Sequence, residues 1–343
     1  MINGKTLILR FSSIGDVVMT IPIIRCLEKK YPKNKFIFVT RPKFKAFFHE
    51  FKNVEIFELD LINRHKGIFG LFRLFSDLKK LNPRRIADLH SVLRTNILSF
   101  LFKIFLKKVS VLDKKRKERK ALIRKSNKIF KPLTPVHYLY QEVFNKLGFS
   151  IDLTKDHFFP PSKILKINTK NIEIGSGKIV GIAPFAKHSP KMYPLDLMQK
   201  IVSYIQDRHT VFLFGYGKLE MVTISRWSSA FKNVYSSNEL GGFENEISLI
   251  SNLDLMISMD SANGHISSIY NVPVITLWGL THPYTGFTTF NFDPNNQFCV
   301  NRDQYPLVPN SIYGNKMIKG YEDSMRTIKI EDVLERANEI LLN

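Results

Sequence analysis

Cysteine is scarce in these 343 residues, with only Cys26 and Cys299 present. Two cysteines cannot build a disulfide framework, and without a CxxC pair they offer no zinc site, so a reducing compartment is the default. Cys26 falls inside an apolar helical pattern and reads as a small core residue. Long apolar runs are also lacking. No stretch reaches the roughly 18 apolar residues of a membrane span, and the nearest approach, residues 97–106, is interrupted by Lys103. The N-terminus has no basic region followed by an apolar one, so a secretory signal is not expected. There is no P-loop and no GxGxxG, which argues against an ATPase or a simple dinucleotide enzyme. An Asp-x-Asp sequence, the kind that chelates a metal–diphosphate pair, is missing too. His265 and His282 are isolated, and neither is read as a metal ligand.

Acidic residues are the last scarcity, and an uneven one. The chain carries 51 Lys+Arg against 30 Asp+Glu, a formal net charge of +21. Residues 1–160 hold 34 basic and 13 acidic side chains, and the remainder holds 17 of each. Drift in composition would act on both halves alike. A half carrying the whole excess reads as a surface that meets something anionic: a membrane, a nucleic acid or a phosphorylated substrate.

What is present alternates. Lys5 to Phe11 reads as a strand, followed by a tight turn at Ser12 to Asp16 and a helical pattern through Val18, Ile21, Ile24 and Leu27. Further short strands are expected at Phe36 to Thr40, Val54 to Phe57 and Arg85 to Leu89, with helices near 71–81, 92–105 and 136–147. Residues 107–131 are strongly basic, and residues 149–176, with Pro160-Pro161, make the best linker. The alternation restarts with strands at Lys178 to Ala183, Thr210 to Phe214, Leu253 to Ser258 and Val272 to Trp278. Helices are expected at 194–206, 219–231 and 261–270, with an amphipathic helix at 331–342. The pattern predicts two α/β domains of Rossmann type, each with a parallel sheet, facing a central cleft. The expected divisions are 1–160, 161–328 and a terminal helix at 329–343.

Ligands of open parallel sheets bind outside the carboxyl ends of the strands. The turn Ser12-Ser13-Ile14-Gly15-Asp16 is therefore expected to line the cleft. Gly15 permits the tight turn, and Asp16 lands in the first helical turn, where it is either a helix-stabilising carboxylate or a catalytic base. Asp260-Ser261-Ala262-Asn263-Gly264-His265 is a second turn of this kind. Its helix-start N–H groups suit a phosphate, and Gly264 is read as making room for a ligand. Lys191, in the loop after the second domain's first strand, could reach a diphosphate or simply be solvated. Glu220, after Gly215-Tyr216-Gly217, could accept ribose hydroxyls or favour a helix N-terminus.

Taken together, Ile8 to Pro22, Asp260 to His265, Val272 to Gly279 and Thr281-His282-Pro283 resemble the end motifs of glycosyltransferase family 9, the ADP-heptose:lipopolysaccharide heptosyltransferases and their relatives. The resemblance implies a GT-B fold with the acceptor bound by the N-terminal domain and the nucleotide-sugar by the C-terminal one. It implies inverting transfer without a metal or other cofactor, the nucleotide-sugar (ADP-heptose among the candidates) being a substrate. On this reading Asp16 is the general base and Lys191 contacts the donor diphosphate. Glu220 would hold the ribose and Asp260 the donor sugar. Ser261, Ala262, Asn263, Gly264 and His265 would cradle phosphate, and Thr281 and His282 would add donor contacts. Tyr193 stands where the family often has Trp.

A family enzyme of this kind works on a phosphorylated glycolipid at the inner face of the cytoplasmic membrane. The basic half then reads as acceptor and membrane recognition, centred on Lys114, Lys115, Arg116, Lys117, Arg119 and Lys120, and no nucleic-acid partner is expected. Val92 to Leu106 reads equally as an interfacial helix on an anionic bilayer or as a core helix. The rival readings are a GT-B nucleotide-sugar epimerase or hydrolase, a basic nucleic-acid-binding protein, and an inactive scaffold of the same fold.

Overall fold

The computed structural model describes residues 4–155 and 177–342. Pro160-Pro161 and the expected boundary at 160 lie outside the described residues. The chain divides into two compact units, Met1–Arg116 with Thr134–Phe158, and Lys117–Leu133 with Phe159–Asn343.

The first unit contains β1 (Thr6–Leu9), α1 (Ile14–Val18), α2 (Ile21–Lys30), β2 (Phe36–Thr40), β3 (Val54–Glu58), α3 (Gly67–Lys80), β4 (Arg85–Asp88), α4 (Leu93–Ile104) and β5 (Lys108–Val111). After α5 (Arg116–Ile123) the chain returns to the unit with α6 (Val136–Lys146). Its five strands lie in the order β3-β2-β1-β4-β5, all parallel. The central strand β1 is buried at every residue, as expected where helices cover both faces of a sheet. The chain steps one way across the sheet from β1 to β3 and the other way from β3 to β5. Right-handed crossovers therefore put α3 and α4 on one face and α2 on the other. Leu71, Leu74 and Leu78 of α3 join Leu98 and Phe102 of α4 in one core cluster with Leu7, Leu9 and Ile86.

The continuous helix expected from Val18 to Leu27 is broken. The ring of Pro22 has no N–H to offer Val18, so α1 stops and α2 starts afresh with proline near its N-terminus. Cys26 is fully buried in α2, as expected.

The second unit contains β6 (Ile179–Ala183), α7 (Leu195–Gln206), β7 (Thr210–Leu213), α8 (Lys218–Ala230), β8 (Val234–Ser236), α9 (Phe243–Ile250), β9 (Leu255–Met259), α10 (Ala262–Ser268), β10 (Val274–Trp278), β11 (Gln297–Cys299) and α11 (Ile330–Leu342). Six parallel strands run in the order β11-β10-β9-β6-β7-β8. The terminal helix is part of this unit, not an appendage, because Val333, Ala337 and Leu341 enter its core.

Residues 117–133 also belong to the second unit, although the sequence reading kept them in the N-terminal domain. Specific contacts hold them there. The Phe130 ring packs against His282 and Tyr284 with centroids 4.9 and 4.6 Å away, and the Arg302 guanidinium lies 3.3 Å from its centroid. Lys128 Nζ donates to the carbonyls of Leu307 at 2.5 Å and Pro309 at 2.8 Å. Burial, then the nearby Arg302 charge, lowers the Lys128 pKa to about 8.

Among the described residues no helix is long and apolar enough to cross a membrane.

Candidate active site

The carboxyl end of the first sheet gathers charge around Asp16. Ser13 caps α1, and its N–H and Oγ both donate to Asp16 Oδ2, at 3.1 and 2.7 Å. The helix-stabilising role considered from sequence is therefore real. A second partner goes beyond it. Arg10, the residue after β1, lies buried with NH2 2.5 Å from Asp16 Oδ2 and NH1 donating to the Leu89 carbonyl at 2.8 Å. Burial raises the Asp16 pKa, but the Arg10 charge and the two Ser13 hydrogen bonds outweigh it and hold the carboxyl below its ordinary value. Asp16 is ionised at neutral pH, yet its side chain keeps about a fifth of its surface open to solvent. A fixed, ionised and reachable carboxylate can accept a proton.

His90 faces this group from the end of β4, its ring edge-on to Phe11 at 5.5 Å. Burial, followed by the charges of Arg10, Lys114 and Arg41, pushes its pKa down to about 3 against an opposing pull from Asp16. The imidazole is neutral at physiological pH. Asp88 braces the turn beneath it by accepting the N–H groups of His90 and Ser91 at 2.9 and 2.8 Å. Arg10, Arg41 and Lys114 thus bring positive charge to one end of the sheet from β1, β2 and the loop after β5. Ser12 and Gly15 complete the turn.

The second unit builds its own polar centre at the ends of β6 and β9. Lys191 sits in the 3-10 turn Ser189–Lys191. Its Nζ lies 2.8 Å from Asp260 Oδ2, and both side chains are largely buried. Ser261 is the N-cap of α10, and its Oγ is buried without a hydrogen-bond partner. The helix opens with Ala262, Asn263 and Gly264, whose N–H groups have no intrahelical acceptor. A small cavity lined by Asp260, Ser261, His265, Trp278 and Phe287 adjoins them. Thr281, also without a partner for Oγ1, is fully buried, and a loop passes over Lys191 at Gly314.

Residues 72–307 match the model of glycosyltransferase family 9 (heptosyltransferase), well over half of the chain. The chain belongs to this family. Lipooligosaccharide heptosyltransferase 2 of Campylobacter jejuni is 26% identical to it over 342 residues, covering 96% of each protein. A family 9 glycosyl transferase structure from Veillonella parvula superposes with a TM-score of 0.73 at 17% identity, covering 99% of this chain and 97% of that one. The structure of ADP-heptose LPS heptosyltransferase II from E. coli gives 0.65 at 16% identity, covering 99% of each. The two parallel-sheet units are therefore the Rossmann-like domains of a GT-B glycosyltransferase.

Within this family 9 glycosyltransferase, several of the expected residues also make contacts that hold the fold. A Cβ at Gly264 would lie 2.9 Å from Ser258 Oγ and 3.3 Å from Val274 Cγ1, so its bare backbone lets α10 press onto the sheet. Glu220 Oε2 accepts the N–H groups of Tyr216 and Gly217 at 2.8 and 2.9 Å, capping α8. His282 accepts the Tyr284 N–H at 3.1 Å and packs on Phe130; burial, Arg302 and Lys128 lower its pKa to about 4. Tyr193 donates its hydroxyl to the Ile328 carbonyl at 2.8 Å, and burial, reinforced by Glu331 and Asp196, pushes its pKa to about 12.

The basic run separates as well. Lys114 belongs to the first unit and acts on His90, and Lys115 pairs with Asp113 at 3.5 Å. Arg116 is exposed at the start of α5. Lys117, Arg119 and Lys120 belong to the second unit, where Arg119 donates to Tyr313 Oη at 3.1 Å and stacks over Phe287 at 5.4 Å. Within the run Arg116, Lys117 and Lys120 are exposed, and Lys114, Lys115 and Arg119 are half-buried. Arg10, His90 and Gly314 were not singled out from sequence. A charged residue directly after an apolar central strand was the available sign for Arg10; no local pattern marks the other two.

Proposed function

We propose that this enzyme transfers a heptose-type sugar, with inversion, from a nucleotide diphosphosugar to a hydroxyl of a phosphorylated lipopolysaccharide-type glycolipid. The observation that carries this reading is the Asp16 carboxylate, held ionised by Arg10 and Ser13 yet open to solvent. Asp16 would take the proton of the acceptor hydroxyl as its oxygen attacks the anomeric carbon. The bond from that carbon to the diphosphate oxygen breaks with inversion, and the electron pair leaves on the diphosphate. Lys191 and the N–H groups that open α10 would stabilise the growing negative charge, a role that asks for no metal. Asp260 would hold the donor sugar and position Lys191. Arg10, Arg41 and Lys114 suit an acceptor bearing phosphates. The names of the relatives, heptosyltransferases of lipooligosaccharide and lipopolysaccharide, support ADP-heptose as donor and a glycolipid as acceptor, hence work at the cytoplasmic face of the membrane.

A thermal-shift screen of ADP-, GDP- and UDP-sugars identifies the donor. Asp16→Asn should then reduce transfer about 10²–10⁴-fold, the range of general base catalysis, while donor affinity stays within about twofold. Retained turnover in Asp16→Asn removes Asp16 from the role of base. Sugar released or isomerised without any dependence on acceptor would show a hydrolase or epimerase instead.

A further inference from the structure

The outward side of α3 and α4 is apolar where a soluble surface is ordinarily polar. The two helices join successive parallel strands on one face of the first sheet, so they run side by side in the same direction, with Phe75 meeting Phe102 at 5.0 Å and Phe105 at 5.6 Å. Their inner faces are core. Outside, α4 presents Leu93, Phe100 and Ile104, which are 78, 62 and 58% exposed and recur at helical spacing. Phe69 and Phe72 of α3 are 79 and 51% exposed beside them. Val92 to Leu106 thus has one face in the core and the other apolar and open.

Leu106, just past α4, is the sharpest case. It is 94% exposed and adopts φ +54°, a left-handed position that glycine or asparagine normally fills at a helix end. Nothing in the fold rewards an apolar side chain there.

Cations rim this surface. Lys66, Arg73 and Lys103 lie exposed on or beside the two helices, Lys108 follows them, and Lys79 Nζ sits 3.7 Å from the Phe105 ring centroid. Acid is nearly absent: α4 has none, and Asp77 of α3 is bound to Arg64 at 2.8 Å. Apolar side chains interleaved with lysines along about 18 Å of helix match a bilayer interface, with rings at the acyl boundary and ammonium groups at headgroup phosphates. Anionic lipid complements that charge. Leu93 begins α4 two residues after Ser91, in the turn beside Phe11, Arg10 and Asp16. A bilayer along these helices would therefore hold its lipids next to the candidate base.

We infer that the outer face of α3 and α4 is a docking surface for an anionic lipid bilayer, with Phe69, Phe72, Phe100 and Leu106 entering the interface. The inference rests on the proposed glycolipid acceptor, but its test does not. Full-length protein is sedimented with vesicles of phosphatidylcholine alone or mixed with phosphatidylglycerol. Binding should require the anionic lipid, and each neutralised lysine should weaken it about fivefold. Phe69→Ser/Phe72→Ser/Phe100→Ser should lower vesicle binding at least about tenfold while kcat/KM on a deacylated, water-soluble acceptor is unchanged. Leu106→Asn is the second variant: asparagine suits the left-handed position, so the melting temperature should hold or rise while binding falls. Vesicle binding that ignores lipid charge, or survives both variants, overturns the inference. So does a dimer in sedimentation velocity that these substitutions convert to monomer, since the face would then belong to a second copy. Vesicle binding without transfer to any acceptor would leave the docking surface standing and sink the proposed reaction instead.

Discussion

Arg10 is fixed at both ends of its guanidinium, with NH1 on the Leu89 carbonyl at 2.8 Å and NH2 on Asp16 Oδ2 at 2.5 Å. It cannot follow the carboxylate elsewhere without giving up the backbone contact, so it fixes both the charge and the position of Asp16. The base form exists above the depressed pKa and is lost as pH falls through it. Wild-type activity should therefore persist down into the ordinary carboxylate range near pH ~4 before its acid limb appears. In Arg10→Gln, burial would be opposed only by Ser13, and the acid limb of kcat/KM should move upward by about 1–3 pH units. His90 and His282, at about 3 and about 4, add no limb near neutrality. An acid limb that stays in place in Arg10→Gln would show that Asp16 is not the group being titrated.

On the proposed function the Lys191–Asp260 ion pair would serve both folding and leaving-group support, and a pair of variants can separate the two. Lys191→Met leaves Asp260 charged, largely buried and alone, which should lower stability by about 3 kcal/mol and kcat by about 10²–10³-fold through the lost support of the leaving group. Adding Asp260→Asn removes the stranded charge. The double variant should regain most of its melting temperature and none of its activity. Recovery of both would mean that Lys191 serves folding only.

The sequence exposed what depends on short patterns. Strands such as Phe36–Thr40 are continuous apolar runs, and α7 and α11 carry clear helical periodicity, so both sheets were readable in outline. β5 was hidden because a four-residue edge strand, Lys108–Val111, stands inside a run of lysines. The route of residues 117–133 was unreadable for a different reason. It depends on Phe130 finding His282, Tyr284 and Arg302, which are more than 150 residues away in the chain. Asp16 could be picked out by its place after a strand, but its ionic partner required knowing that Arg10 folds back from the strand end. Gly264 shows its packing role only once its neighbours Ser258 and Val274 are known, because a glycine in a helix start fits ligand approach and close packing equally well.

Gly314 gives a test for the loop over Lys191. Its φ is +68°, and an added Cβ would run into the Lys191 stem and come within 3.1 Å of Thr281 Cγ2. Gly320 has a similar φ of +83° but open space around it. Both alanine variants should carry a backbone penalty of about 1–2 kcal/mol. Only Gly314→Ala should also displace Lys191, raising the donor KM several-fold beyond the Gly320→Ala control. Equal donor KM values in the two variants would separate this loop from donor binding.

Glu246 should make stability depend on pH in a direction opposite to that of Asp16. It lies on α9, 2% exposed, with Oε1 lacking a hydrogen-bond partner. Burial alone raises its pKa from the ordinary 4.5 to about 8. Between those two values the unfolded chain has released the proton and the folded one still holds it. Its stabilising contribution is therefore complete below pH 4.5 and declines as pH rises towards 8, beyond which the buried carboxylate is a constant burden. Glu246→Gln keeps the shape without the ionisation. Its melting temperature should match wild type at pH 5 and exceed it by several degrees at pH ~8.5. Equal differences at both pH values would show that Glu246 ionises in the folded enzyme as it does in the unfolded chain.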